Sequence, residues 1–65
     1  MRIMEKIVIV FNDGSVNRVF EKKPSMIYLA LDYKTGFVEI SERYEYKVYT
    51  HSFPADKIKE IRKEF

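Results

Sequence analysis

The sequence has 65 residues, a formal net charge of +2 and no cysteine. A chain this short forms one domain and buries only roughly 60% of the surface its unfolded form exposes, which leaves little room for a deep enclosed active site. Without cysteine there are no disulfides and no thiolate metal centres, so a small core, or association of two copies, must carry stability.

Charged residues make up 34% of the chain, yet aromatics reach 15%, so the composition is that of a folded domain and not of a disordered one. Up to Gly36 there are six Lys/Arg against four Asp/Glu, and beyond it six against six. No basic block stands out, whereas a dedicated nucleic-acid binder shows a stronger positive footprint. The opening MRIMEK does not read as a signal peptide, because the apolar run after it, 7–11, is too short. No stretch approaches the roughly 20 apolar residues of a membrane helix. The expected setting is the cytoplasm, without a membrane partner.

The first clear element is KIVIVFNDGSVNRVFE. Asp13-Gly14 between two apolar runs is a hairpin signal, since a type I′ turn needs φ > 0 at both central residues. A two-residue loop sets Phe11 opposite Val16, Ile9 opposite Arg18, Ile7 opposite Phe20 and Lys6 opposite Glu21. Ile7, Ile9, Phe11, Val16 and Phe20 then share one face, with Arg18 among them, which places Arg18 near an edge. Val8, Val10 and Val19 fill the other face, as in a strand covered on both sides by a small curved barrel.

Pro24-Ser25 breaks the chain. Residues 26–32 are then expected as a strand, with a two-turn helix as the alternative, and DYKTG as a longer hairpin loop. Residues 37–41 and 46–52 are expected strands, and ERYE a polar turn or strand extension. After Pro54 the period changes. Ile58, Ile61 and Phe65 stand at i, i+3 and i+7, which predicts a short helix over 54–64. A single turn at PADK followed by a final strand is the rival.

The chemistry available is narrow. His51 is the one histidine, and Ser52 beside it points to the opposite face of a strand, so the two do not form a nucleophile–base pair. One histidine without cysteine excludes the common zinc sets, and two glycines offer no phosphate loop. Glu42 and Glu45 read as solvated surface charges. No catalytic residue, metal ligand or cofactor is assigned.

Binding is what remains. In RYEYKVYTHSF, strand parity puts Tyr44, Tyr46, Val48, Thr50 and Ser52 on one side and Arg43, Glu45, Lys47, Tyr49, His51 and Phe53 on the other. The first set is taken as inward. Arg43, Lys47, Tyr49 and His51 then become the candidate contacts for a protein partner, because a ring among cationic neighbours anchors protein surfaces well, whereas the rival reading packs Tyr49 and Phe53 under the C-terminal helix. The alternative is weak nucleic-acid binding by Lys22, Lys23, Arg43, Lys47 and Tyr49.

The layout IVIVFNDGSV, then GFVEI, then YKVYTHSFPADKIKEI, resembles small proteins common in phages and prophages of low-GC bacteria. The resemblance runs from Lys6 to Ile61. It implies an SH3-like small β-barrel and an accessory or interaction role, including inhibition of a host factor. No site residue comes with it.

The expected fold is mainly β: five antiparallel strands in a small SH3-like barrel or rolled sheet over 1–65, with a short C-terminal helix. The expected function is that of a non-catalytic protein–protein interaction module. The partner is an unidentified protein, and homodimer and monomer stand as equal alternatives.

Overall fold

The computed structural model describes residues 3–65; Met1 and Arg2, at the head of the MRIMEK segment, lie outside the described residues. The protein is mainly β, with strands β1 (Lys6–Phe11), β2 (Arg18–Glu21), β3 (Tyr28–Lys34), β4 (Phe37–Arg43), β5 (Val48–Pro54) and β6 (Ile58–Glu64). The strands form two three-stranded antiparallel sheets, β2-β1-β6 and β3-β4-β5, which do not close into a barrel.

Alternation along β1 generates the core. Ile7 and Ile9 are fully buried and pair with Phe20 and Arg18 of β2 in the register the hairpin pattern predicts. They pack with Phe20, Met26, Leu29, Ile40 and Phe53 between the two sheets. Val8 and Val10 on the other face are only half-buried, with Val19 and Arg62 beside Val8 and Glu60 beside Val10. The expectation that both faces of β1 are covered as in a barrel is therefore corrected. One face is core, and the other is bordered by the long side chains of the Arg62–Glu60 ion pair (Nε to Oε2 2.9 Å), whose stems shelter apolar surface.

The β1–β2 loop is wider than the two-residue turn expected. Among the described residues only Gly14 and Gly36 have positive φ, each +84°, so Asp13 does not take the conformation a type I′ turn requires. Instead the Asp13 carboxylate accepts a hydrogen bond from the Ser15 N–H at 2.9 Å. Asn12 is drawn to the other neighbour of β1: its N–H donates to the Lys57 carbonyl at 3.0 Å and its Nδ2 to the Asp56 carbonyl at 2.8 Å. Phe11 pairs with Ile58, and Val16, placed in the core by pattern, is 86% exposed.

From β2 the chain crosses to the second sheet through a turn at Pro24-Ser25, closed by the Met26 N–H on the Lys23 carbonyl at 2.9 Å, with Met26 buried beneath. The strand expected over 26–32 is present two residues later, as β3. Its hairpin to β4 is tighter than expected, with only Thr35 and Gly36 between Lys34 and its partner Phe37. Gly36 alone carries the positive φ, the sign pattern of a type II turn.

The expected C-terminal helix is overturned. Ala55–Lys57 makes one 3-10 turn, tied to the β3–β4 turn by the Ala55 N–H on the Gly36 carbonyl at 3.1 Å, and Ile58–Glu64 is a sixth strand beside β1. The physical reason is a β-bulge. The β1–β6 register shifts between Val10 and Phe11, so that Glu60 pairs with Val10 and Ile58 with Phe11, leaving Lys59 as the extra residue. An extra residue reverses strand parity, so Ile58 and Ile61, three apart, both pack on the core. The i, i+3 spacing that reads as a helix face is here a bulged strand.

Two outcomes test this packing. Ile9→Ala is expected to cost about 2–5 kcal/mol, most of the stability of a domain this size, while Val16→Ala stays within about 0.5 kcal/mol, both read by urea unfolding. The second concerns Asp13, whose carboxyl is held below its ordinary value of 3.8, first by the Ser15 side chain and then by the Ser15 N–H. A lowered folded-state pKa adds stability that is present above the unfolded value and lost as pH falls through the folded one. Wild type is thus expected to melt above Asp13→Ala at neutral pH, with the gap closing below pH 3.8 in thermal scans.

Candidate protein-interaction site

The candidate residues lie around the β4–β5 hairpin. Tyr44 N–H donates to the Lys47 carbonyl at 2.8 Å, so the antiparallel pairing of β4 and β5 continues to these two residues. The chain reverses through Glu45 and Tyr46, which leaves Tyr46 at the tip, 90% exposed. This reversal changes the parity argument. Residues 43–53 are not one straight strand, and a two-residue reversal sends opposite parities inward on its two arms. On β4 the inward side runs Val38, Ile40, Glu42 and Tyr44. On the return arm the same face carries Lys47 and Tyr49, both still exposed, and then His51 and Phe53, with Val38 opposite Phe53, Ile40 opposite His51 and Glu42 opposite Tyr49.

The expected inward set is corrected accordingly. Tyr44 does pack against the core, but Tyr46, Val48, Thr50 and Ser52 are exposed. Phe53, expected outward, is a core residue with its ring centroid 5.8 Å from Phe11 and 6.0 Å from Phe20. The Arg18 guanidinium covers this aromatic group at the sheet edge, 5.4 Å from the Phe20 centroid and 5.3 Å from that of Phe53.

Of the four candidate contacts, the structure joins Lys47 and Tyr49 and sets the other two apart. Tyr49 meets Tyr44 edge to face, with centroids 5.7 Å apart at 82°. Lys47 Nζ stands 5.5 Å from the Tyr49 ring centroid, and hydrogen bonding to the Tyr49 side chain holds the ammonium pKa above its ordinary 10.5. Arg43 is half-buried on the opposite face of the sheet, between Tyr28 and Val48.

His51 turns inward. Its Nε2 lies 2.6 Å from Glu42 Oε1, and its ring is 4.9 Å from the Phe20 ring across the gap between sheets. Its position ties the two sheets together. Glu42, read from the sequence as a solvated charge, is its partner. The signal for that pair was the inward parity Glu42 shares with Val38 and Ile40.

The lysines of the nucleic-acid alternative occupy the crossing between the sheets. Lys22 and Lys23 line an open depression of about 430 Å³ together with Val19, Phe20, Glu21, Pro24 and Glu42. Two carboxylates therefore stand among the cations. Among the described residues no group of three or more His, Cys, Asp or Glu side chains is placed to hold a metal ion. No helix among the described residues is long and apolar enough to cross a membrane. No family model, curated protein or solved structure matches the chain.

His51→Ala removes both the Glu42 hydrogen bond and the Phe20 contact, and is expected to cost about 1–3 kcal/mol. Tyr46→Ser, at the exposed tip, is expected to change stability by less than about 0.5 kcal/mol. Chemical denaturation of the two variants side by side checks the assignment of one residue to structure and the other to surface.

Proposed function

We propose that the protein is a non-catalytic protein–protein interaction module, a cytoplasmic accessory protein of the SH3-like phage type, which binds its partner through the β4–β5 hairpin. The observation that carries this reading is the Tyr46 ring, 90% exposed at the end of a paired hairpin whose base is packed by Tyr44 and Tyr49. Tyrosine gives large contact area at low entropic cost, and a ring on a rigid element contributes most to an interface. Lys47 beside Tyr49 supplies a cation, which fits a partner surface bearing acidic groups.

The strand layout, with β6 returning to β1 and a β3-β4-β5 meander, fits the small-barrel resemblance, although the two sheets do not close into a barrel. The phage-type role rests on the resemblance alone.

The test is affinity capture from host lysate, followed by titration of the purified partner. Tyr46→Ala with Lys47→Glu is expected to weaken binding by at least about tenfold, or 1.4 kcal/mol, while the far-ultraviolet circular dichroism stays that of the wild type. A partner bound equally by the double variant sinks the hairpin reading. Tight oligonucleotide binding that persists at high salt and is lost in Tyr49→Ala would replace it with the nucleic-acid alternative.

A further inference from the structure

Each sheet has two outer strands, and three of the four carry a feature that discourages further pairing. β2 has only four residues. β5 ends in Pro54, which has no N–H to donate. β6 carries Lys59, Glu60, Arg62, Lys63 and Glu64 and is bulged.

β3 is different. It runs seven residues in unbroken register with β4, contains no proline, and opens with Tyr28, Leu29, Ala30 and Leu31. Along it lies an apolar groove of about 480 Å³, lined by Ile3, Met4, residues 27–31 and Phe65. Within that lining Ile27 is 57% exposed, and further along the strand Tyr33 is 65% exposed.

The geometry points to a second copy of this chain as the occupant: β3 pairs antiparallel with β3 of the other copy about a two-fold axis through Ala30. The side-chain pattern of β3 selects both the partner and the register. About Ala30, Leu29 faces Leu31 of the second copy, and Tyr28 faces Asp32, whose carboxylate can accept from the phenol. Ile27 comes alongside Tyr33. A two-fold through Asp32 would set two carboxylates directly opposite, and one through Leu31 would set them diagonal, both unfavourable. One through Leu29 would pair only Tyr28 to Ala30 within the strand. The Ala30 register joins the two β3-β4-β5 sheets into one six-stranded sheet. It uses up the open edge on both copies, so association stops at two. It also enlarges a core that no disulfide reinforces.

The inference does not rest on the hairpin reading, and its test varies different residues. Because the chain has no cysteine, Ala30→Cys introduces a single thiol. In the proposed dimer two such thiols face each other with Cβ atoms about 4.5–5.5 Å apart, close enough for a disulfide to form after a small adjustment. On mild oxidation at micromolar concentration, Ala30→Cys is expected to give a covalent dimer at least about tenfold faster than Val16→Cys, a control on the exposed β1–β2 loop. Wild type is expected to sediment at twice 7.8 kDa, and Ile27→Lys to dissociate at a concentration at least about tenfold higher with unchanged circular dichroism. A wild-type mass of 7.8 kDa throughout the micromolar range overturns the inference. A doubled mass with no preference of Ala30→Cys over Val16→Cys and no effect of Ile27→Lys overturns it as well.

Discussion

The structure depends on the pairing of β1 with two strands from opposite ends of the chain. Ile7 and Ile9 are fully buried because their face of β1, flanked by β2 and β6, packs against Leu29, Ile40 and Phe53 of the second sheet. β2 follows β1 through a short loop, so its pairing costs little chain entropy. β6 must return across most of the sequence, and its cost grows only slowly with loop length. In exchange it brings Ile58 and Ile61 to the core and fixes Asn12 through two hydrogen bonds to residues 56 and 57. The second sheet then closes on this scaffold as a meander, with Ile40 and Phe53 placed against Ile7, Ile9 and Phe20.

This arrangement decides where polar groups can sit. At one side the sheets meet through an aromatic and cationic cluster of Arg18, Phe20, His51 and Phe53, with Glu42 as the histidine's partner. His51 belongs to the tie between sheets. The hairpin tip extends beyond that tie, so Tyr46 can be exposed without disturbing the core. The open edge of β3 is a separate consequence of the same plan. Two sheets that do not close into a barrel leave outer strands, and among the described residues β3 is the one without a proline, a bulge or a charge in its first four residues.

Local chemistry made much of the fold legible. The β1–β2 register followed from matching apolar runs about Asp13-Gly14, and the structure has it residue for residue from Lys6–Glu21 to Ile9–Arg18. Arg18 was placed near an edge by being the one charge on an apolar face, and it caps two rings there. The break at Pro24-Ser25 and the strand after it were equally readable. The candidate site was less so. Its face assignment failed at Glu45 and Tyr46, which reverse the chain without glycine, asparagine or a positive φ, so no turn signature was present. Beyond this reversal His51 and Phe53, expected outward, turn to the core, while Lys47 and Tyr49 are exposed as expected.

The sequence by itself determined the β-rich class and the register of the first hairpin. These depend on residue types and on neighbours a few positions apart. Tertiary structure alone decided that the final segment is a strand, because Ile58 and Ile61 have the same spacing on a helix face as across a bulge, and only the open side of β1 selects between them. It likewise decided that His51 faces inward, since the side chain's direction depends on register with Ile40 across the sheet and on the Glu42 carboxylate waiting there. Parity along a strand is local, but which parity faces the core is set by the partner strand.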